Sequence, residues 1–201
     1  MGHTVDAAAL ERMRAEPGPI VLATSWRQAA VLTATLAPVW SEQAAALQPR
    51  AIATVYLRIR DAGYRGLPRP IVALACDAPQ ASPPIHGPAQ FAFCRSQLMG
   101  QRGVIAAVVS DCRLSREALA EQVRDQIRTQ LGWHEVDVLQ TLLDKHATFA
   151  CTPGLERPSA HIAPSMWACG DHVAGPYPAT LEGAVRSGLQ VIAQIAQMHE
   201  T

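Results

Sequence analysis

The run Met166-Trp167-Ala168-Cys169-Gly170-Asp171 leads through Gly175, Pro176 and Pro178 into Thr180-Leu181-Glu182-Gly183-Ala184-Val185-Arg186-Ser187-Gly188, and its character changes twice on the way. Residues 166–169 are a continuous apolar run of strand length, the pattern of a strand buried on both faces. The glycines and prolines that follow break regular structure. Thr180 then caps a predicted helix from Leu181 to about Met198, with apolar Ala184, Val185, Ile192 and Ile195 at helical spacing. Strand, Gly-Asp, loop and capped helix make one unit of an α/β layer. Such a sheet binds ligands at the carboxyl ends of its strands.

Upstream, Thr4 to Ala15 reads as a short helix closed by Pro17-Gly18-Pro19. Residues 20–24 (Ile-Val-Leu-Ala-Thr) are a second apolar run of parallel-sheet type, expected beside 166–169. Trp26 to Leu36 reads as a helix ended by Pro38. From Ala51 the pattern changes: Val55, Leu57 and Ile59 alternate with Thr54, Tyr56 and Arg58, which predicts a half-buried strand. Ile71–Cys76, Gln90–Phe93 and Val104–Val109 are further strand candidates, and the proline-rich 77–88 is loop. The expected sheet is mixed or antiparallel, with four or five strands. Ser115 caps a helix whose Leu119, Val123, Ile127 and Leu131 form one stripe, with Leu114 as staple and Gly132 just past its end. Val136 to Phe149 fits strand or helix, and strand is favoured before Ala147.

Composition excludes several classes of function. The 201 residues hold 17 basic and 17 acidic side chains, a net charge of zero that disfavours capture of nucleic acid. Only 17% are charged, which suggests that part of the surface rests against something else. Five cysteines, Cys76, Cys94, Cys112, Cys151 and Cys169, are an odd number without a C-x-x-C pair, so reduced thiols in a cytoplasmic protein are expected. Asp6 and Glu11 interrupt any signal-peptide pattern, and no run of ~18 apolar residues occurs. Peripheral contact with the inner membrane stays open.

The tail has the chemistry of a cofactor cradle. Gly170 lets a ligand approach the backbone, and the Asp171 carboxylate can accept hydrogen bonds from sugar or ribityl hydroxyls. Thr180 to Gly183 open a helix whose unpaired N–H groups and positive dipole end suit a phosphate or the N1 and O2 edge of a flavin. On spacing alone an ordinary structural turn is the commoner reading.

The stretch from Ala168-Cys169-Gly170-Asp171 through Tyr177-Pro178-Ala179-Thr180-Leu181-Glu182-Gly183-Ala184-Val185-Arg186-Ser187-Gly188 resembles the C-terminal flavin motif of the amine oxidase and phytoene desaturase superfamily. The run from Tyr177 is especially similar to the squalene-associated desaturases, or hydroxysqualene dehydroxylases. Ala53-Thr54-Val55-Tyr56-Leu57, Gly87-Pro88-Ala89-Gln90-Phe91, and Lys145 with 147–154 extend the resemblance over most of the chain from about Ile20.

The resemblance implies FAD as cofactor. Gly170 and Asp171 would lie by its pyrophosphate and ribityl chain, and Pro178, Ala179, Thr180, Leu181 and Glu182 would meet the isoalloxazine ring. It implies a long isoprenoid substrate, such as hydroxysqualene, in an apolar tunnel formed by residues 51–149. The expected fold is α/β with α+β mixing: a partial FAD-binding layer plus a mixed or antiparallel substrate-domain sheet covered by helices. Segments 1–50 and 151–201 would belong to the layer and 51–150 to the substrate domain.

The sequence departs from the family pattern at several places. It contains no G-x-G-x-x-G turn to grip the ADP part of FAD. Cys94-Arg95-Ser96 replaces the usual acidic-Arg-Gly, and Cys169 stands where alanine is usual. His161–Ser165 differs from the ordinary proline-rich linker. The chain has roughly half the length a complete member needs, so an N-terminal half, in the same gene or another chain, is expected to complete it. The alternative is a non-catalytic remnant that binds a hydrophobic ligand or a partner protein. A layer without its central strands is expected to expose an apolar edge or face, and to dimerise or dissolve poorly. No catalytic acid or base is singled out. Cys169 and His172 supply only two ligands of a C-x-x-H pair, so no metal is expected. Lys145 and Arg186 read as solvated side chains, and Trp26, Trp40, Trp133 and Trp167 as core or interface anchors.

Overall fold

Alternation along the chain decides the first sheet. In β2 (Pro49–Ile59) Ala53, Val55, Leu57 and Ile59 are buried, while Tyr56 is half-buried and Arg58 exposed between them. The computed structural model describes residues 5–76 and 87–199; the predicted loop thus lies largely outside the described residues. Strands β3 (Ile71–Ala73), β4 (Phe91–Cys94), β5 (Val104–Ser110) and β6 (Val136–Phe149) join β2 in a five-stranded sheet of order β3-β4-β5-β2-β6. The β3–β4, β4–β5 and β2–β5 ladders are antiparallel. The segment from Val136 is strand along its whole length to Phe149, beyond the boundary expected at Ala147.

One face of this sheet meets α5 (Arg116–Leu131), whose Leu119, Val123 and Ile127 pack on Val55, Leu57, Ile105 and Ala107. Ser115 caps the helix by accepting a hydrogen bond from the Ala118 N–H at 3.2 Å, and Gly132 closes it in the left-handed conformation. Buried Gln126 ties the region before β4 to this helix: its Oε1 accepts from the Ala89 N–H at 2.9 Å, and its Nε2 donates to the carbonyls of Ala75 and Ala89. A short helix, α4 (Arg95–Met99), follows β4 at once, where no helix was expected.

The chain forms two compact units, Pro49–Thr148 and Met1–Gln48 with Phe149–Thr201. The second unit contains a three-stranded sheet of order β1-β8-β7, formed by β1 (Ile20–Leu22), β8 (Met166–Ala168) and β7 (His161–Ala163). The two apolar runs do lie side by side and parallel, with Ile20 opposite Met166 and Leu22 opposite Ala168. Strand β7, in the segment that departs from the ordinary proline-rich linker, adds an antiparallel edge.

Around this sheet stand α1 (Ala7–Arg14), α2 (Trp26–Thr33), α3 (Pro38–Ala45) and α6 (Leu181–His199). Pro38 does more than end a helix: it begins α3, where a missing N–H costs nothing and the fixed φ suits the first turn. Buried Trp26, Trp40 and Trp167 anchor this unit, and Trp40 Nε1 donates to the Ser159 carbonyl at 2.8 Å. The overall class is mixed α/β, with one mixed and one antiparallel sheet.

Candidate functional site

The end of β8 and the start of α6 make the candidate site. Its first component is Gly170, which has a φ of +156°. A Cβ there would stand 2.7 Å from two ring atoms of His172, so only glycine permits this packing. The peptides on both sides of it are held on α6: the Gly170 N–H donates to Ser187 Oγ at 2.8 Å, and the Ser187 hydroxyl donates to the Gly170 carbonyl at 3.0 Å.

The loop from Asp171 to Gly175 is gathered by Arg157. This guanidinium donates to the carbonyls of Asp171 (3.3 Å), Val173 (2.6 Å) and Gly175. An arginine between Glu156 and Pro158 carries no local motif, and sequence reasoning missed it. The carbonyl of Asp171 also accepts from the Ala179 N–H at 3.3 Å. The two separated segments of the motif, Gly170-Asp171 and Pro178-Ala179-Thr180-Leu181-Glu182, are thereby brought together.

Thr180 caps α6 as expected. Its Oγ1 accepts from the Gly183 N–H at 3.0 Å, and its hydroxyl donates to the Tyr177 carbonyl at 2.7 Å. Gly183 is needed for this turn, since a Cβ there would lie 2.1 Å from the Tyr177 carbonyl oxygen. Tyr177 and Ala179, on either side of Pro178, both have φ of 57°, a left-handed conformation that costs about 1–3 kcal/mol for residues with a Cβ. Among the described residues the N–H groups of Leu181 and Glu182 have no hydrogen-bond acceptor in the chain. They open the helix with the positive end of its dipole. The Glu182 carboxylate is bound by Arg186 at 2.6 Å, and the Arg186 guanidinium sits 5.1 Å from the Tyr177 ring centroid. Glu182 therefore offers the site its N–H rather than its charge.

Electrostatics separate Asp171 from His172. Burial raises the Asp171 carboxyl above its usual value, against backbone hydrogen bonds and Arg157, which lower it. His172 is 1% exposed, and burial, with the Arg157 charge, lowers it to about 4. Its imidazole is neutral at pH 7, and its buried Nε2 has no partner among the described residues. Burial likewise raises Cys169. Among the described residues no three His, Cys, Asp or Glu side chains gather as a metal set.

The residues present fit the ring and ribityl part of a flavin. Two free helix-opening amides meet the need of an electron-rich edge, and a half-buried carboxylate that of hydroxyl donors.

Helix α6 has two apolar sides. Val191 and Ser187 are buried and Ala184 and Ile195 half-buried, whereas Leu181, Val185, Leu189 and Ile192 are 88, 60, 65 and 65% exposed. The four apolar residues noted at helical spacing thus divide: Ala184 and Ile195 are half-buried, Val185 and Ile192 exposed. The expected exposed apolar face is present. Lys145 is exposed on β6, and no described helix is long and apolar enough to cross a membrane.

No family model matches the chain, and no curated protein matches it. Among solved structures it is similar to an oxidoreductase from Methanosarcina mazei, at 13% identity and a TM-score of 0.56. The match covers 87% of this chain and 42% of that one. The likeness is one of fold: this chain has the architecture of somewhat under half of that oxidoreductase.

Proposed function

We propose that the chain is the flavin-ring and substrate portion of an FAD-dependent oxidoreductase acting on a long isoprenoid such as hydroxysqualene, completed by a half that supplies the ADP-gripping turn. The observation that carries this reading is the Ala179 N–H to Asp171 C=O bond. It joins the two motif segments and leaves the Leu181 and Glu182 amides without acceptors next to them. The fold shared with part of a longer oxidoreductase supports it, as does the uncovered stripe on α6.

Bound flavin would supply the redox chemistry through its N5. This chain's residues would bind and orient it. The Leu181 and Glu182 amides favour negative charge at the pyrimidine edge of the ring, where the reduced cofactor concentrates it. The Asp171 carboxylate holds hydroxyl donors, which would draw its raised pKa back down. Thr180 shapes the turn through its hydroxyl, which accepts from the Gly183 N–H and donates to the Tyr177 carbonyl.

The test mixes purified chain with FAD, alone and with an N-terminal half that carries G-x-G-x-x-G, and measures flavin absorbance retained after desalting. Retention is expected only in the complemented mixture. Asp171→Asn should weaken it roughly tenfold, the loss of a charge-assisted hydrogen bond. A complemented complex without flavin absorbance overturns the proposal. The alternative of a non-catalytic remnant is favoured only by the exposed α6 stripe as a protein-binding face, and it predicts no flavin in either mixture.

A further inference from the structure

We infer a headgroup site on the five-stranded sheet: the cleft at the Arg58 end of its open face binds the phosphorylated head of a long-chain isoprenoid, whose tail lies along the apolar rows of the same face. This inference shifts the substrate proposed above from an isoprenoid alcohol to a phosphorylated isoprenoid, and rests on that reading only for the isoprenoid nature of the tail.

The rows follow from register. Alternation that buries Val55 and Leu57 against α5 puts Thr54, Tyr56 and Arg58 on the opposite face. Cross-strand partners then align Tyr56, Ala106, Phe93 and Ile71 in one row, and Thr54, Val108, Phe91 and Ala73 in the next. Phe91 and Ile71 remain 45 and 48% exposed, so this apolar floor is open to a ligand.

The charge lies at one end. A cleft of about 600 Å³ is lined by Arg58, Arg95 and Arg102 with Tyr56, Gln101 and Leu139, and among the described residues no Asp or Glu lines it. That volume falls within the usual range for small-molecule sites. Arg95 is positioned in advance: its Nε donates to Gln101 Oε1 at 3.0 Å, and its guanidinium lies 5.8 Å from the Tyr56 ring centroid. Among the described residues Arg58 and Arg102 have no ion-pair partner. Nearby Asp137 is bound to Arg60 instead. Three guanidinium groups without a carboxylate match a polyanion, and their planar forks fit phosphate oxygens better than a single carboxylate. A chain of zero net charge that concentrates three uncompensated arginines beside an apolar floor has the complement of an amphiphile with a diphosphate head.

The experiment titrates the full chain, without flavin, with farnesyl diphosphate, farnesol and inorganic pyrophosphate, followed by calorimetry below the micellar range. Farnesyl diphosphate is expected to bind about tenfold or more tightly than either other probe, and to weaken with added salt. Arg58→Gln and Arg102→Gln should each weaken the diphosphate by about tenfold and leave farnesol unchanged. Equal affinity for farnesol and farnesyl diphosphate, or variants that bind the diphosphate as the native chain does, would overturn the headgroup site. Pyrophosphate binding as tightly as farnesyl diphosphate would overturn the tail. Because the titration contains no flavin, its outcome is separate from that of the cofactor test.

Discussion

The unit around the five-stranded sheet and the unit around the three-stranded sheet bury their apolar residues in different ways. In the first, a single cluster runs through β2, β4, β5, α5 and Val136, with α5 packed on one sheet face. In the second, burial is divided among three small clusters, around Trp40, Leu10 and Trp26, while α6 leaves Leu181, Val185, Leu189 and Ile192 in water. The candidate cofactor residues belong to the second unit. The difference teaches that a half-covered sheet with its own helix is complete by local burial, whereas a layer of three short strands is not.

The largest effect expected from this contrast is in the single cluster. Leu57→Ala should cost about 4 kcal/mol, because a fully buried leucine leaves a cavity in a core with no second cluster to relax into. Urea unfolding gives the magnitude. Hydrogen exchange should show β2 and β5 losing protection together; loss confined to β2 would break the picture of one cluster.

A smaller effect, of up to about 3 kcal/mol, should appear in the other unit as pH falls. His172 titrates near 4 when folded and near 6.5 as an ordinary imidazole. The unfolded chain therefore takes up a proton first. Stability from this group is complete above pH 6.5 and declines toward pH 4, by about 1.4 kcal/mol per pH unit at the steepest. Asp171 has the opposite sign at the acid end of the window, since burial favours its protonated form. His172→Gln should flatten the decline, as read by urea midpoints from pH 7 to 4.5, and an unaltered slope would assign the pH dependence elsewhere.

The smallest effect sharpens the contrast most. Replacing Leu181, Val185 and Ile192 by Gln should change stability by less than about 0.5 kcal/mol per site, because these side chains contact little. Light scattering should show less self-association than in the native chain. A cost well above 1 kcal/mol per site would mean that the stripe is covered after all.

The first unit was largely legible in the sequence, because period-2 alternation at 54–59 and the Ser115 to Gly132 helix are signals carried by neighbouring residues. Strand pairing of 20–22 with 166–168 was legible for a similar reason: both are short, wholly apolar runs. What escaped was short or distant. Helix α3 hid behind Pro38, which reads equally as a stop or a start. Strand β7 has three residues beginning with a histidine, and α4 has five, too few for periodicity. At the site, the motif residues and the Thr180 cap were legible, but Arg157 was not. Its three acceptors are backbone carbonyls from 14 to 18 residues away, and no side-chain pattern reports them. Which side of α6 faces inward was not legible, because both of its flanks are apolar and spacing alone does not choose between them.

The hydroxyl of Ser187 grips both the N–H and the C=O of one residue, Gly170, at the neighbouring strand end. Because one hydroxyl holds both polar groups of Gly170, the seating of α6 and the backbone that leads into Asp171 are fixed together.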